Sequence, residues 1–433
     1  MLITARPKSY SIFVLWICAC SLIASQTFGQ GASATPNLPD LPFDYVKYAV
    51  DDLPDYYLPS APFGDAGAAN NTPEDNPITN AGATLGRVLF YDKRLSINNS
   101  ISCASCHTQQ TGFGDTRQFS VGQNFVPTPR HSMTLTNATF YFNGRFRWDE
   151  SAESLEEQCL IPIEAEDEMG LPLGQLRDRL AKIDFYQELF TDAFGDNKIT
   201  DDRIAKSMAQ FVRSMVSYNS KYDQAFRLGQ DGFPNYELVF NESELIGQRL
   251  FERTEGNVGC HECHRSPAQI GTEPRNIGLD LETIDKGAGM GRFKVTSLRN
   301  VEVRGRFMHD GRFSSLEEVV EFYNSGVQPN PDLDGFLADS MVLNLTEVQK
   351  QGLVDFMKTW TDHQFLNSPM FSDPFKLFLV GDVNQDGEID MLDVEPFVER
   401  LLSGLYQGEA DVNEDFELNL LDVMPFVDLL SGQ

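Results

Sequence analysis

One short pattern, Cys-x-x-Cys-His, occurs twice and constrains this chain more than anything else in it. The copies are Cys103-Ala-Ser-Cys106-His107 and Cys260-His-Glu-Cys263-His264. With 7 Cys and 6 His among 433 residues, chance yields this pattern far less than once, so two copies are a signal. In such a motif each thiol adds across a haem vinyl group, and the adjacent His is held beneath the iron as its proximal ligand. Two covalently bound c-type haems are therefore expected, attached through Cys103, Cys106, Cys260 and Cys263, with His107 and His264 on the irons. A redox dithiol or a zinc knuckle is the competing reading, disfavoured by the repetition of the pattern with its His. The copies lie 157 residues apart, far enough for each haem to have a lobe of its own.

Covalent haem attachment goes with export, and the amino terminus reads as an export signal. Arg6 and Lys8 precede an apolar run of 13 residues, Ile12 to Ala24, and Ala32-Ser33-Ala34 offers a small-x-small cleavage pattern. The run is short for a bilayer span, so a secretory signal over 1–34 is preferred to an uncleaved anchor. Lipid attachment at Cys18 or Cys20 is disfavoured by bulky Trp16 and Ile17. No other stretch reaches transmembrane length, so no stable membrane span is expected, and the chain is placed in the periplasm or outside the cell. A formal charge of −30, from 34 Lys+Arg against 64 Asp+Glu, excludes nucleic acid as a partner and suits cationic partners or calcium.

Patterning divides the remainder. Residues 35–80 carry Pro at 36, 39, 42, 54, 59, 62, 73 and 77, which predicts an extended arm. From residue 81 helical patterns dominate. Thr200 caps a stripe through Ile204, Met208, Phe211, Val212 and Met215, and Leu176, Leu180, Ile183, Tyr186 and Phe190 form another. Asn241 with Glu244, Ser315 with Glu318, and Thr346 with Gln349 have the spacing of capping pairs. The expected fold is mainly α, with two cytochrome c-like haem lobes at 81–235 and 236–366, a linker at 367–380, and a small EF-hand-type helical module at 381–433. Of the remaining His and Cys, His261 is expected in solvent, His309 structural, His363 on the surface and Cys159 buried.

The module carries 14 acids against the single base Arg400 and repeats with a period of 29 residues. Asp382, Asn384, Asp386, Asp390 and Asp393 take positions 1, 3, 5, 9 and 12 of a calcium loop, and Asp411, Asn413, Asp415, Asn419 and Asp422 repeat the set. Oxygen side chains at that spacing converge on one hard cation as the loop curls into its helix. Gly387 supplies the turn in the first copy; Phe416 replaces it in the second, where weaker calcium binding is expected. The repeat resembles type I dockerins, which implies a cohesin-like partner, with calcium-dependent folding alone as the other reading.

The segments SISCASCHTQQTGFGD, SVGQNFVPTPRH, WDESAESLEEQCLIPIEAEDEM and FKVTSLRNVEVRGRFMHDGRFSSLEEVVEFYNSG resemble the bacterial di-haem cytochrome c peroxidase family over about residues 81 to 363. The resemblance implies that the amino-terminal haem meets hydrogen peroxide and the carboxy-terminal haem takes in electrons. It places Glu168 on the family's distal glutamate, which moves a proton between the peroxide oxygens. It likewise places Gln158 on a neighbouring pocket glutamine and Trp148 on a tryptophan between the haems.

Four departures from the family pattern bear on mechanism. Gln123 stands where many members carry a removable distal His, which predicts an open, five-coordinate first haem. Tyr323 stands where peroxidases often place a Met ligand to the second haem; Tyr ligation is the arrangement of the MauG-type members, which oxidise a protein partner. Core packing of Tyr323 is the alternative, with Met290, Met308 and Met341 as rival ligands. His131, Arg304 and Arg306 replace the donors of an interhaem calcium site, making that site doubtful and leaving His131 to line the haem pocket. Asp149-Glu150-Ser151 replaces a favoured Asp-Gly-Arg.

The expected function is a di-haem cytochrome c peroxidase-type oxidoreductase that takes electrons from a small redox protein, a cytochrome c or a cupredoxin. The alternative is a MauG-like oxidase of side chains on a protein substrate. A dockerin-anchored electron carrier is the third reading, disfavoured because a carrier has no use for Glu168.

Overall fold

The computed structural model describes residues 35–39, 42–59, 65–252, 259–265, 267–338, 342–375, 381–383, 389–403, 410, 412 and 418–431. The expected signal, Met341, Asn384, Asp386, Gly387, Asp411, Asn413, Asp415 and Phe416 lie outside them. Among the described residues the chain is helical, and strand pairing is limited to isolated bridges that close loops.

Local chemistry sets the helix starts. Thr79 accepts from the Gly82 N–H at 3.0 Å and opens α1 (Asn80–Tyr91). Ser154 opens α2 (Leu155–Glu164) by accepting from Glu157 at 3.1 Å. Thr200 opens α5 (Asp201–Ser214) through Arg203. Each such cap satisfies an orphan N–H and contributes about 1 kcal/mol. The stripe Leu176 to Phe190 is not one helix. It is divided into α3 (Leu173–Leu180) and α4 (Asp184–Phe194). Ile183 N–H bonds Leu180 O and Tyr186 N–H bonds Ile183 O, so the three-residue spacing of the stripe is that of a tightened turn.

α1 crosses α5 in the amino-terminal core, where Leu85, Val88, Leu89, Leu176, Leu180, Phe190, Ile204 and Phe211 are fully buried. The carboxy-terminal core repeats this arrangement. There α7 (Glu242–Phe251) crosses α9 (Glu347–Lys358), with α8 (Leu316–Glu321) against α9. Both crossings are closed by glycine. A Cβ on Gly86 would lie 2.0 Å from Ser207 O, and one on Gly247 would lie 1.9 Å from Gly352 O. The capping boxes of Asn241 with Glu244 and Thr346 with Gln349 form as expected. At α8 the Ser315 hydroxyl caps Glu318, but the Glu318 carboxylate reaches back one residue further, to Ser314 N–H at 2.6 Å.

The lobes are built alike in their loops too. Asn137 and Asn300, both left-handed at φ 60°, each precede a short 3₁₀ turn. The bridges Phe146–Ala152 and Phe307–Phe313 close equivalent loops, which set Trp148 and His309 in matching places. The cores do not follow the expected boundaries, however. Tyr222 and Phe226 of α6 (Lys221–Arg227) lie in the carboxy-terminal core. Residues 363–371, in part read as linker and including α10 (His363–Asn367), return to the amino-terminal one. There Tyr91 donates to Phe371 O at 2.6 Å and Arg87 to Ser372 O at 2.7 Å. The Pro-rich arm carries short helical turns at Lys47–Asp51, Asp55–Tyr57 and Asp65–Ala68. Its Tyr45 enters one core, and its Tyr56 and Tyr57 enter the other.

In the acidic module, α11 (Val394–Ser403) and α12 (Val423–Ser431) stack Phe397 on Phe426 with centroids 4.0 Å apart. Asp390 and Asn419 cap equivalently, each accepting from the residue two ahead and donating its own N–H to Asp393 or Asp422. Asp382, Asp393 and Asp422 are buried, which carboxylates seldom are unless paired.

Candidate active site

Each Cys-x-x-Cys-His segment folds into one 3₁₀ turn, Cys103–Ser105 and Cys260–Glu262, with the His N–H bonded to the first Cys carbonyl at 3.0 Å in both. The turn brings the two sulfurs and the imidazole together. His107 Nδ1 lies 2.9 Å from Phe113 O, so the tautomer donating there leaves the Nε2 lone pair free. His264 Nδ1 faces Gln269 O at 3.4 Å in the same way. Burial pulls both imidazoles down, His264 to about 4, so both are neutral and available as ligands. Among the described residues no cluster of three His, Cys, Asp or Glu suited to a bare metal ion occurs.

Above the first motif stands the turn after α2. Pro162 inside α2 has no N–H for the carbonyl of Gln158. The chain then folds back, with Met169 N–H on Pro162 O at 3.0 Å and Glu168 N–H on Ala165 O at 3.0 Å. Gln123 N–H holds Glu168 O at 2.7 Å, and the Gln123 amide reaches Glu166 O at 3.3 Å. Glu168 is close enough for its charge to raise both the Cys103 and Cys106 thiols. Its own carboxyl is pushed up by burial, against Arg147, which favours the charged form, and with Asp167, which opposes it. The Gln158 Oε1 is buried and has no hydrogen-bond partner. A buried amide oxygen without a partner costs about 1–3 kcal/mol unless something in the pocket bonds it. Cys159, beside it, is buried, and burial drives its thiol far up, so it has little thiolate character.

Around the second motif is a cavity of about 820 Å³, with Cys260, Cys263, His264, Trp148, Met308 and Tyr323 on its wall. Tyr323 sits in a π-helical turn, Phe322–Gly326, that follows α8. Burial raises its phenol, and Cys263 and Cys260 raise it further. Met308 shares the wall, whereas Met290 is 52% exposed and does not line it. His131 and His309 line the cavity as well, and His309 stacks on Phe293 at 3.6 Å. His261 is part-exposed with Nε2 3.8 Å from Glu262, and His363 is exposed.

Trp148 lies on the second cavity, while the charge of its neighbour Arg147 acts on Glu168. Sequence reasoning missed Lys294, fully buried on the cavity wall. Its Nζ sits 3.8 Å from the Tyr141 ring centroid, and burial pulls its ammonium down to about 7. Lys294 lies between the apolar Phe293 and Val295, which was the one available signal.

The donor sets fit two covalently held haems. Two sulfurs and a neutral imidazole converge at each motif, one beside a raised carboxyl, the other on a cavity of ligand size. Comparison with known proteins agrees. The family profile described as di-haem cytochrome c peroxidase matches residues 80–231, and that of the dockerin type I domain matches 380–426. The chain is 32% identical over 298 residues to the methylamine utilization protein MauG of Methylorubrum extorquens, covering 66% of this chain and 80% of that one. It is 32% identical over 305 residues to the cytochrome c551 peroxidase of Nitrosomonas europaea, covering 68% and 82%. Among solved structures, a MauG-like protein associated with microbial copper homeostasis aligns with TM-score 0.64 at 28% identity, over 75% of this chain and 99% of that one. The di-haem peroxidase BthA of Burkholderia thailandensis, at 20% identity and TM-score 0.54 over 69% and 91%, shares the fold.

Proposed function

The chain belongs to the di-haem cytochrome c peroxidase and MauG family, and from that premise we propose that it reduces hydrogen peroxide to water with electrons from a small redox protein. When bound, the haem at His107 supplies an iron at which the peroxide O–O bond can be cleaved. The carboxyl of Glu168 takes the proton from the near peroxide oxygen and returns it to the far one. A carboxyl raised by burial is suited to that exchange, because holding the proton costs it less than it costs an exposed glutamate. Gln158 Oε1 accepts a hydrogen bond from the peroxide and thereby gains the partner it lacks. Trp148 would offer an oxidisable ring between this pocket and the His264 cavity, and Tyr323, on the wall of that cavity, could serve as the second ligand to its haem.

The observation that carries the reading is a half-buried Glu168 whose charge reaches both thiols of the first motif; the unsatisfied Gln158 Oε1 supports it. The experiment is to mix the unreduced, fully matured protein with peroxide and follow the visible spectrum. Fast turnover with a reduced small cytochrome supports the peroxidase, and inertness in both assays sinks it.

A second reading, oxidation of side chains on a protein substrate, is favoured by two placements. The Gln123 amide is turned onto Glu166 O, and Tyr323 shares a wall with His264. Its signature is a long-lived oxidised state in the unreduced protein after mixing.

The acidic module is proposed to bind two calcium ions and to dock on a cohesin-like partner. The internal repeat and the buried Asp382, Asp393 and Asp422 support this. Export is proposed from the Arg6–Ala34 segment. No helix among the described residues is long and apolar enough to cross a membrane.

A further inference from the structure

Four of the five acids on the wall of the second cavity are already engaged by arginines. Arg275 is paired with Asp334 at 2.7 Å, Arg312 takes Asp280 at 3.0 Å, and Arg130 takes Asp285 at 2.8 Å. Those pairings occupy Asp280, Asp285 and Asp334, and Glu262 bonds Arg265. The remaining wall acid, Glu282, is exposed.

Arg304 and Arg306 also line the cavity, and no ion pair among the described residues holds Arg304, while the charge of Arg306 is felt at Glu318. Arg304 is the more telling. Its side chain is part-buried, its Nη2 donates to the Arg299 carbonyl, and its Nε is buried with no hydrogen-bond partner. A guanidinium withdrawn from water without a counter-ion costs several kcal/mol, so such residues are kept only where an anion comes to them. The charge of Arg304 is felt at His264, which places it beside the proximal ligand of this pocket.

We infer that Arg304, with Arg306 next to it, is the counter-ion of a propionate carboxylate of the haem held in this cavity, supplying from the chain the positive charge that a bound cation would otherwise give. The inference rests on reading the cavity as a haem pocket. A haem attached through Cys260 and Cys263 brings two carboxylates into a space whose own acids are already engaged. The planar fork of Arg304 can bond one of them through two N–H groups, and the orphaned Nε then has an acceptor.

The test uses the full-length, matured protein, first counted for haem. A protein without haem at Cys260 and Cys263 fails the pocket reading itself. With both haems present, the midpoint of the low-spin centre is titrated in wild type, Arg304→Gln and Arg304→Lys. Removing the positive charge stabilises the oxidised centre, so Arg304→Gln should shift the reduction equilibrium about tenfold toward it, ~59 mV for one electron. Arg304→Lys should recover most of the shift. Redox-difference infrared spectra at pH 5 should show ionised haem carboxylates in the wild type and a protonated band in Arg304→Gln. A haem-replete Arg304→Gln with unchanged midpoint and spectra overturns the inference. Should that variant fail to mature, a protonated carboxyl band in the wild type at pH 5 overturns it, and ionised bands uphold it.

Discussion

The indole N–H of Trp148 donates to the carbonyl of His131 at 2.6 Å. His131 N–H in turn bonds His309 O at 2.8 Å. The Trp148 ring is thus hinged to the wall of the second cavity, while the peptide behind it leads to Arg147 and the Glu168 pocket. Trp148→Phe keeps an aromatic ring in the gap but loses both that hydrogen bond and the easily oxidised indole. Stopped-flow mixing with peroxide should show oxidation of the second haem slowed at least ~10-fold, about 1.4 kcal/mol of barrier. A rate within a factor of two of wild type would remove Trp148 from the route.

Glu168→Gln keeps the size of the side chain and its place in the Ala165–Gly170 turn, which is held by backbone bonds. Only proton exchange is lost. Peroxide consumption should fall by roughly 10²–10⁴-fold, the usual contribution of a positioned acid/base. The ferric spectrum should be unchanged, since neither proximal His contacts Glu168 in any hydrogen bond described. Rates equal to wild type would place the proton transfer elsewhere.

Tyr323→Phe separates ligation from packing. The phenyl ring fills the same space on the cavity wall, so a packing role predicts an unchanged low-spin EPR signal. If the phenolic oxygen binds iron, the variant should lose that signal or exchange it for one from Met308, a methionine on the same wall. A phenolate favours ferric iron, so the midpoint should also rise in the variant.

How much of this was legible in the sequence follows from how local each feature is. The Cys-x-x-Cys-His turns and the caps at Thr200, Asn241 and Thr346 are made by residues three or four apart, and they were readable as written. Capping at Ser315 was half right, because Glu318 could reach either of two neighbouring N–H groups. Where the lobes end was not readable. Phe365 and Phe371 belong to the amino-terminal core only because the chain returns there after the second lobe, a contact over more than 250 residues in sequence. Arg304 was visible as a charge out of place, but that its Nε is buried, and by what, depends on segments distant along the chain.

Chelation tests the acidic module separately from the haem lobes. Adding EDTA should melt α11 and α12, seen as a loss of helical far-ultraviolet signal, because Asp382, Asp393 and Asp422 would be buried without a cation. With Phe416 in place of the turn glycine, the second loop should release calcium first; a bulky residue in a left-handed turn costs roughly 1–2 kcal/mol, up to about tenfold or more in affinity. The visible spectrum should not change, because Arg304 and Arg306 replace residues that, by the family resemblance, would donate to a calcium in the haem region. A spectral shift on chelation would restore calcium to the haem region.

Asp223 and Arg299, both fully buried, meet at 2.6 Å beneath the second core, with Tyr56 donating to the same carboxylate at 2.9 Å. Burial works to raise Asp223, but the Arg299 charge together with the Ser220 hydroxyl and N–H outweigh it and hold the carboxyl below its usual range. In that window the unfolded chain binds more protons than the folded one, so stability rises with pH. The contribution is therefore complete above the ordinary aspartate value of about 4 and is lost as pH falls through the lower folded value. Asp223→Ala leaves Arg299 buried and unpaired, and should cost about 3–5 kcal/mol in urea unfolding at neutral pH. It should also remove this step from the acid limb of the stability profile. A loss below about 1 kcal/mol would mean that water reaches Arg299 once its partner is gone, as at an exposed pair.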